Sequence, residues 1–463
     1  MSQAGANVAI IICNWNKREY VLKCIESVLR SSYTHYDLYV VDNGSTDGSA
    51  DAITAQFASQ VKLIRKSQNT GGAGGFQVGI QAALAENYEF LYLLDNDVVV
   101  DQDALRHLVE FLSSNPEIGA AGSKILYMDK PDTIQYLGAS IDWDHFCLTH
   151  HYKNQLDTND LPSIIDTDMI PACSMLVKTK AIVEVGGMDS EYFIYFDDVD
   201  MCYAMKLRGY KLSIYIPSIV WHKRSALVRN STFEDYYIRR NSNYFFLKYM
   251  SPEKVPVLAE RFVDIMFKEF YLGTYNSKYD IVRTRLFALE DLLNGTRGKA
   301  MEGRVVTLPT YENRLFEIIK SVTRIAILDD GTSHIKKIYN QIVLLKPDVE
   351  ITIILSKLSR ETVANLFQEL PLITDQKSYD KTNFELTIQI CEHVSLFPNY
   401  VQNKADLYVD LYSNVIYGKE DERYISNYDT VFKAYKELHL PLIIQRLYEC
   451  KKNIQSLKML GNG

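Results

Sequence analysis

No stretch of this 463-residue sequence approaches the roughly 18 consecutive apolar residues that a membrane-spanning helix needs. The first apolar run, Val8 to Cys13, is too short for a secretory signal and has no basic leader. Cysteine is sparse: there are seven, an odd number, and no two form C-x-x-C. That pattern argues against a disulfide framework and against a zinc knuckle, and it fits a reducing compartment. The expected location is therefore the cytoplasm, with the inner face of a membrane as the alternative. An excess of positive charge is also missing, since 50 Lys and Arg face 58 Asp and Glu, giving a formal charge of -8. No nucleic-acid partner is expected from such a balance. The sequence contains neither an internal repeat nor a low-complexity segment.

What remains is an ordinary globular composition, 47% hydrophobic and 23% charged, long enough for two or three domains. The first third alternates apolar runs with helical spacing. Strands are expected at 8–13, 38–41, 61–64 and 90–94, and helices at 19–30, 49–57 and 79–86. Farther on, a strand over 169–177, a helix over 199–208 and a strand over 211–216 stopped by Pro217 are expected, with 120–168 less regular. Alternation of this kind predicts an α/β fold with a doubly wound, mostly parallel sheet, whose ligands gather at the strands' carboxyl ends. Residues 1–250 read as that domain and 251–304 as a helical segment packing on it. Residues 305–463 read as a second, smaller α/β domain with strands at 324–328, 350–355, 385–391 and 407–411. The glycine near a strand end there is Gly331, and no phosphate-binding fingerprint follows it.

Five groups of residues in the first 250 carry possible chemistry. In LLDNDV, Asp95 and Asp97 stand just past a buried strand, where paired carboxylate oxygens can hold a hard divalent cation against a departing diphosphate; such aspartates also shape turns. In VVDNGSTDGS, Asp42 ends a strand and can accept a hydrogen bond from a nucleobase or ribose, while Asp47 suits a helix cap. In NTGGAGGFQVG, Gly71, Gly72, Gly74 and Gly75 precede a helix and free the backbone to approach phosphate or sugar oxygens. The G-x-G-x-x-G spacing of dinucleotide sites is absent. In YFIYFDDVD, Asp197, Asp198 and Asp200 open a helix. A carboxylate there stays ionised and can take the proton of an acceptor hydroxyl. Asp198 is the expected base, Asp197 its substitute, and Asp200 a structural residue. Finally, His222 in IVWHKR can complete a site with Asp95 and Asp97. A nitrogen ligand favours Mn²⁺ over Mg²⁺. Asn14 at the first strand end, and the aromatics Trp15, Tyr192, Tyr195 and Trp221, can serve ligand contact or packing.

In this order, the five groups resemble the family 2 inverting glycosyltransferases of GT-A fold, from Val8 to about Tyr249. The resemblance implies that Asp95 and Asp97 bind metal and nucleotide, that Asp42 contacts the base, and that Asp198 is the catalytic base. The family's motif usually opens with Glu, whereas Asp197 stands here. GGAGGF, FDDVD, the later histidine and YYIRRNSNYFFLKY look similar to bacterial galactofuranosyltransferases and rhamnosyltransferases. That implies UDP-galactofuranose as donor, with dTDP-rhamnose second, and a surface glycan or lipid-linked glycan as acceptor. Peripheral membrane contact through the helices of 233–295 and homo-oligomer formation are compatible with the sequence. Two rivals stand beside this reading. A nucleotidyltransferase usually places a basic glycine loop after its first strand, where Asn14-Trp15-Asn16 stands here. A catalytically inactive sugar-binding scaffold would not need the full acidic set.

Overall fold

A computed structural model describes residues 6–223, 231–275, 278–308, 314–328, 335–355, 372–373, 380–391, 405–410 and 414–460. The chain divides into two compact units. The first holds residues 1–255, 284–307 and 447–463; the second holds 256–283 and 308–446. This division shares the helical residues 251–304 between both units and returns the last residues of the chain to the first.

The first unit begins with strands and helices in strict alternation. These are β1 (Val8–Asn14), α1 (Arg18–Leu29), β2 (Tyr36–Asp42), α2 (Ser49–Phe57), β3 (Val61–Arg65), α3 (Gly71–Leu84) and β4 (Phe90–Asp95). β1 pairs in parallel with both β2 and β4, and β2 with β3. A parallel strand covered on both faces must be apolar at every position, which is why VAIIIC is uninterrupted. Val8, Ile10 and Ile12 are buried in one cluster with Val21 and Ile25 of α1. On the other face Ile11 meets α3 at Gly79. Each such fully buried aliphatic side chain contributes roughly 1.5–3 kcal/mol.

Beyond β4 come β5 (Val98–Val100), α4 (Ala104–Ser114), β6 (Ile118–Tyr127), β7 (Lys130–Tyr136), β8 (Ala139–Asp142), β9 (Cys147–His150), β10 (Ile164–Asp166) and β11 (Ser174–Lys178). Then follow α5 (Thr179–Val185), α6 (Asp197–Leu207), β12 (Lys211–His222) and α7 (Phe233–Tyr249). The main sheet runs β10-β12-β6-β11-β4-β1-β2-β3, with β5 on β12 and β7 on β6. β11 is antiparallel to both β4 and β6. The fold is thus α/β with a large, mostly parallel sheet, as the pattern predicts.

Two local expectations fail. The strand expected to stop at Pro217 runs on to His222, because the proline sits at a register shift between Tyr215 and Ile219, where a missing N–H costs no ladder bond. The glycines expected in a loop before a helix form that helix's own first turns, since α3 starts at Gly71. Glycine lowers helix propensity by about 1 kcal/mol; close packing against β1, described below, requires it here.

Helices α8 (Val255–Tyr275) and α9 (Tyr279–Leu293) follow α7. In the second unit lie α10 (Arg314–Ile319), β13 (Arg324–Leu328), α11 (Ile335–Leu345), β14 (Glu350–Ile354), β15 (Leu372–Ile373), β16 (Leu386–Cys391), β17 (Leu407–Asp410) and β18 (Val415–Tyr417). Their sheet runs β15-β14-β13-β16-β17-β18, parallel except for β18. Ile325, Ile327, Ile353 and Ile388 pack there with Ile335, Ile338 and Ile342 of α11. Gly331 lies outside the described residues. A helix over Tyr428–Leu460 closes the chain. Among the described residues no helix is long and apolar enough to cross a membrane.

Candidate active site

The carboxyl ends of β1, β2 and β4 form one rim, and Asn14 ties them together. Its amide donates to Asp42 Oδ1 and to Ser45 Oγ, each at 3.2 Å, and its carbonyl accepts from Asn96 at 2.7 Å. Asn14 is fully buried. Its side chain therefore builds the rim. Asp42 is buried too, and its second oxygen accepts the Ser45 N–H at 3.2 Å. Asp47 accepts the Arg18 and Ser49 amides at 2.9 and 3.0 Å, fixing the turn into α2.

The cation-binding chemistry arises where β4 turns into β5. β5 pairs antiparallel with β12, so that His222 faces Val98. That register sets the imidazole beside the aspartate that precedes Val98. His222 Nε2 is 3.2 Å from Asp97 Oδ1 and 3.8 Å from Asp95 Oδ2. One ligand atom from each of the three residues lies within 4.8 Å of the other two. Two carboxylate oxygens and one imidazole nitrogen suit a first-row divalent ion such as Mn²⁺. Trp221 precedes His222 on the strand and by alternation points to the opposite face, away from this cluster.

Electrostatics fit the grouping. Burial opposes charge on Asp97, but the His222 hydrogen bond and charge, together with Lys17, outweigh it and bring its pKa down to about 2. Asp95 is raised, first by its desolvated surroundings and then by the Asp97 charge. Burial alone would lower His222, yet the Asp97 hydrogen bond and both carboxylates raise it.

Sequence reasoning missed the residues that hold the cluster in place. His222 Nδ1–H donates to Gln135 Oε1 at 2.6 Å, which leaves Nε2 for the carboxylates or a metal. Gln135 is 1% exposed and lies on β7, in a stretch that read as irregular. Second partners of this kind typically account for 10–100-fold in metal affinity. Gln135→Leu should accordingly weaken Mn²⁺ binding by about that factor, measured by titration against the wild type. Unchanged affinity would deny the glutamine this role. Lys17, whose ammonium is 2.5 Å from Asp97 Oδ2, was also missed; a long cationic residue just past a strand end was the available signal.

The carboxylates of α6 are presented by a distorted segment. Phe193, Tyr195 and Phe196 all have positive φ, between 63° and 68°, a backbone state that costs bulky residues about 1–3 kcal/mol each. The buried Asn241 of α7 holds the segment, donating to the carbonyls of Tyr192, Ile194 and Tyr195 at 2.9, 2.7 and 3.0 Å. Arg240 adds the Tyr192 and Gly298 carbonyls at 3.3 and 2.8 Å. Both lie in YYIRRNSNYFFLKY, where the pattern gave likeness but no role.

Asp198 accepts the amides of Ala172 and Val199 at 3.3 and 2.8 Å. Burial nevertheless raises its pKa to about 6, with those amides opposing and Asp95 adding. Asp197 is buried and raised well above the carboxylate range, by desolvation and then by Asp198. Both carboxylates are thus harder to ionise than a free aspartate. Asp200 pairs with Lys248 at 2.7 Å and accepts the Tyr192 hydroxyl at 3.0 Å, a structural role as expected. Tyr192 is buried with it, whereas Trp15 is 49% exposed at the end of β1.

Packing accounts for three of the four glycines. A Cβ on Gly71, whose φ is +78°, would fall on the Phe193 carbonyl; on Gly75 it would strike Cys13 Sγ, and on Gly74 Thr70. Ala73 N–H donates to the same Phe193 carbonyl at 3.2 Å. The glycine segment therefore lets the loop carrying Asp197 and Asp198 lie against α3. Gly72 faces open space.

Residues 9–181, all within the first unit, match the model of glycosyl transferase family 2. The chain is 24% identical over 221 residues to the poly-beta-1,6-N-acetyl-D-glucosamine synthase of Staphylococcus aureus (strain COL), covering 46% of this chain and 49% of that protein. The synthase of the same name from Staphylococcus epidermidis (strain ATCC 35984) is 25% identical over 226 residues, 47% and 50% of the two chains. The chain thus spans about half the length of these relatives. Among solved structures, GalNAc-T7 with UDP, GalNAc and Mn²⁺ superposes with a TM-score of 0.41 at 15% identity, over 53% of this chain and 51% of that one.

Proposed function

We propose that the protein is a metal-dependent, inverting glycosyltransferase that moves a sugar from a nucleoside diphosphate donor to a hydroxyl of a bacterial surface glycan or its lipid-linked precursor. One observation carries this reading: Asp95 and Asp97, inside the stretch that matches the family model, and His222 beyond it bring three ligand atoms within 4.8 Å of one another. A bound divalent cation supplies charge stabilisation to the departing diphosphate. Asp198 takes the proton from the acceptor hydroxyl, whose oxygen attacks the anomeric carbon from the face opposite the diphosphate. Asp197 lies beside it and is its substitute as base. Asp42 meets the nucleobase or ribose, Gly72 the donor backbone, and the exposed Trp15 offers a ring face for stacking.

UDP-galactofuranose is the favoured donor, on the likeness of GGAGGF, FDDVD and the later histidine. dTDP-rhamnose is the alternative, and the relatives' names, which print N-acetyl-D-glucosamine, suggest a nucleotide-linked form of that sugar as a third candidate. The region from residue 305 serves as scaffold, acceptor contact or oligomer surface, and the reaction takes place on the cytoplasmic side of a membrane. Calorimetric titration with UDP, with and without Mn²⁺, tests the class: coupled binding is expected, and a sugar-binding scaffold would show none. Transfer or hydrolysis assayed across the three donors identifies the sugar.

A further inference from the structure

Both oxygens of Asp97 are engaged from within the protein. His222 Nε2 stands 3.2 Å from Oδ1, and Lys17 Nζ 2.5 Å from Oδ2. Asp97 is 4% exposed, so an arriving cation has to displace one of them to gain both oxygens. The imidazole is held from behind by Gln135. Lys17, by contrast, stands at the start of α1 on an unbranched stem, 24% exposed, and among the described residues its ammonium pairs with Asp97 alone. Of the two it is the one free to leave. A displaced ammonium remains beside the cation, where the donor's diphosphate must also lie.

We propose that Lys17 is a resident counter-cation of the metal site: the divalent ion displaces its ammonium from Asp97, and the freed ammonium takes the diphosphate of the donor. This rests on the function proposed above. Before nucleotide arrives, Lys17 competes with the metal for one carboxylate oxygen. Once nucleotide is present, Lys17 gains a second anion and the competition ends. Metal and nucleotide therefore strengthen each other's binding, reciprocally and by one factor. A single positive charge also stays on the diphosphate as the sugar departs, beyond what the metal provides.

The full chain, wild type and K17M, is titrated with Mn²⁺ by electron paramagnetic resonance, with and without saturating UDP. Without UDP, K17M should bind Mn²⁺ about 3–10-fold tighter than wild type. The tightening that UDP confers on Mn²⁺ should then shrink by at least that factor, a change within the usual range of coupling between sites. K17R keeps the charge and should return Mn²⁺ affinity toward the wild-type value. Equal Mn²⁺ affinities in wild type and K17M without UDP, or weaker binding by a K17M protein with a normal melting curve, would overturn the role of Lys17. If neither protein binds Mn²⁺ even with UDP, the glycosyltransferase reading falls as well.

Discussion

Asp198→Ala should lower kcat by about 10²–10⁴-fold, the usual contribution of a positioned general base, while UDP and Mn²⁺ still bind. The separation follows from position. Asp198 is held by the amides of Ala172 and Val199 at the start of α6 and is not one of the three residues that gather around the cation site. Loss of nucleotide binding in this variant would mean that Asp198 belongs to the donor site instead. The wild-type pH profile gives a second reading. Burial raises the Asp198 pKa to about 6, and the base works only when ionised. Below pH 6, kcat/KM should therefore fall tenfold per unit, and above it level off. A profile flat down to pH 4.5 would remove Asp198 from the proton transfer.

The second large effect is at the metal. Asp97→Asn keeps the side chain's size but removes the charge that both Lys17 and His222 face. Metal stabilisation of a departing group is worth several kcal/mol, so kcat/KM should drop on the order of 10³-fold. UDP affinity should fall only in buffers containing Mn²⁺. With EDTA present, wild type and Asp97→Asn should be equally inactive. Full wild-type activity in EDTA would end the metal-dependent account.

The sequence reveals most where geometry is local. Continuous apolar runs mark β1 and β4 because parallel strands are covered on both faces, and polar residues at their ends mark the rim. The same rule finds β13 and β14 in the second unit. The sequence is less informative where a role depends on a distant neighbour. Pro217 reads as a strand end, and only the bulge it occupies shows that β12 continues to His222. Gly71 and Gly75 read as a flexible phosphate loop, since spacing cannot show that the Phe193 carbonyl and Cys13 fill the space of their missing side chains. Asn14 reads as a polar strand end and no more, because its ties to Asn96 and Ser45 lie 82 and 31 residues away. Gln135 gives no signal and Asn241 a likeness without a role, because each acts by holding another residue in place.

Electron spin-echo spectroscopy of bound Mn²⁺ in the presence of UDP asks whether one imidazole and the paired carboxylates share a single ion. A ¹⁴N coupling should appear in the wild type and vanish in His222→Ala. If Mn²⁺ binds with UDP but shows the same nitrogen signal in both proteins, or none in either, the cluster of Asp95, Asp97 and His222 is not the metal site.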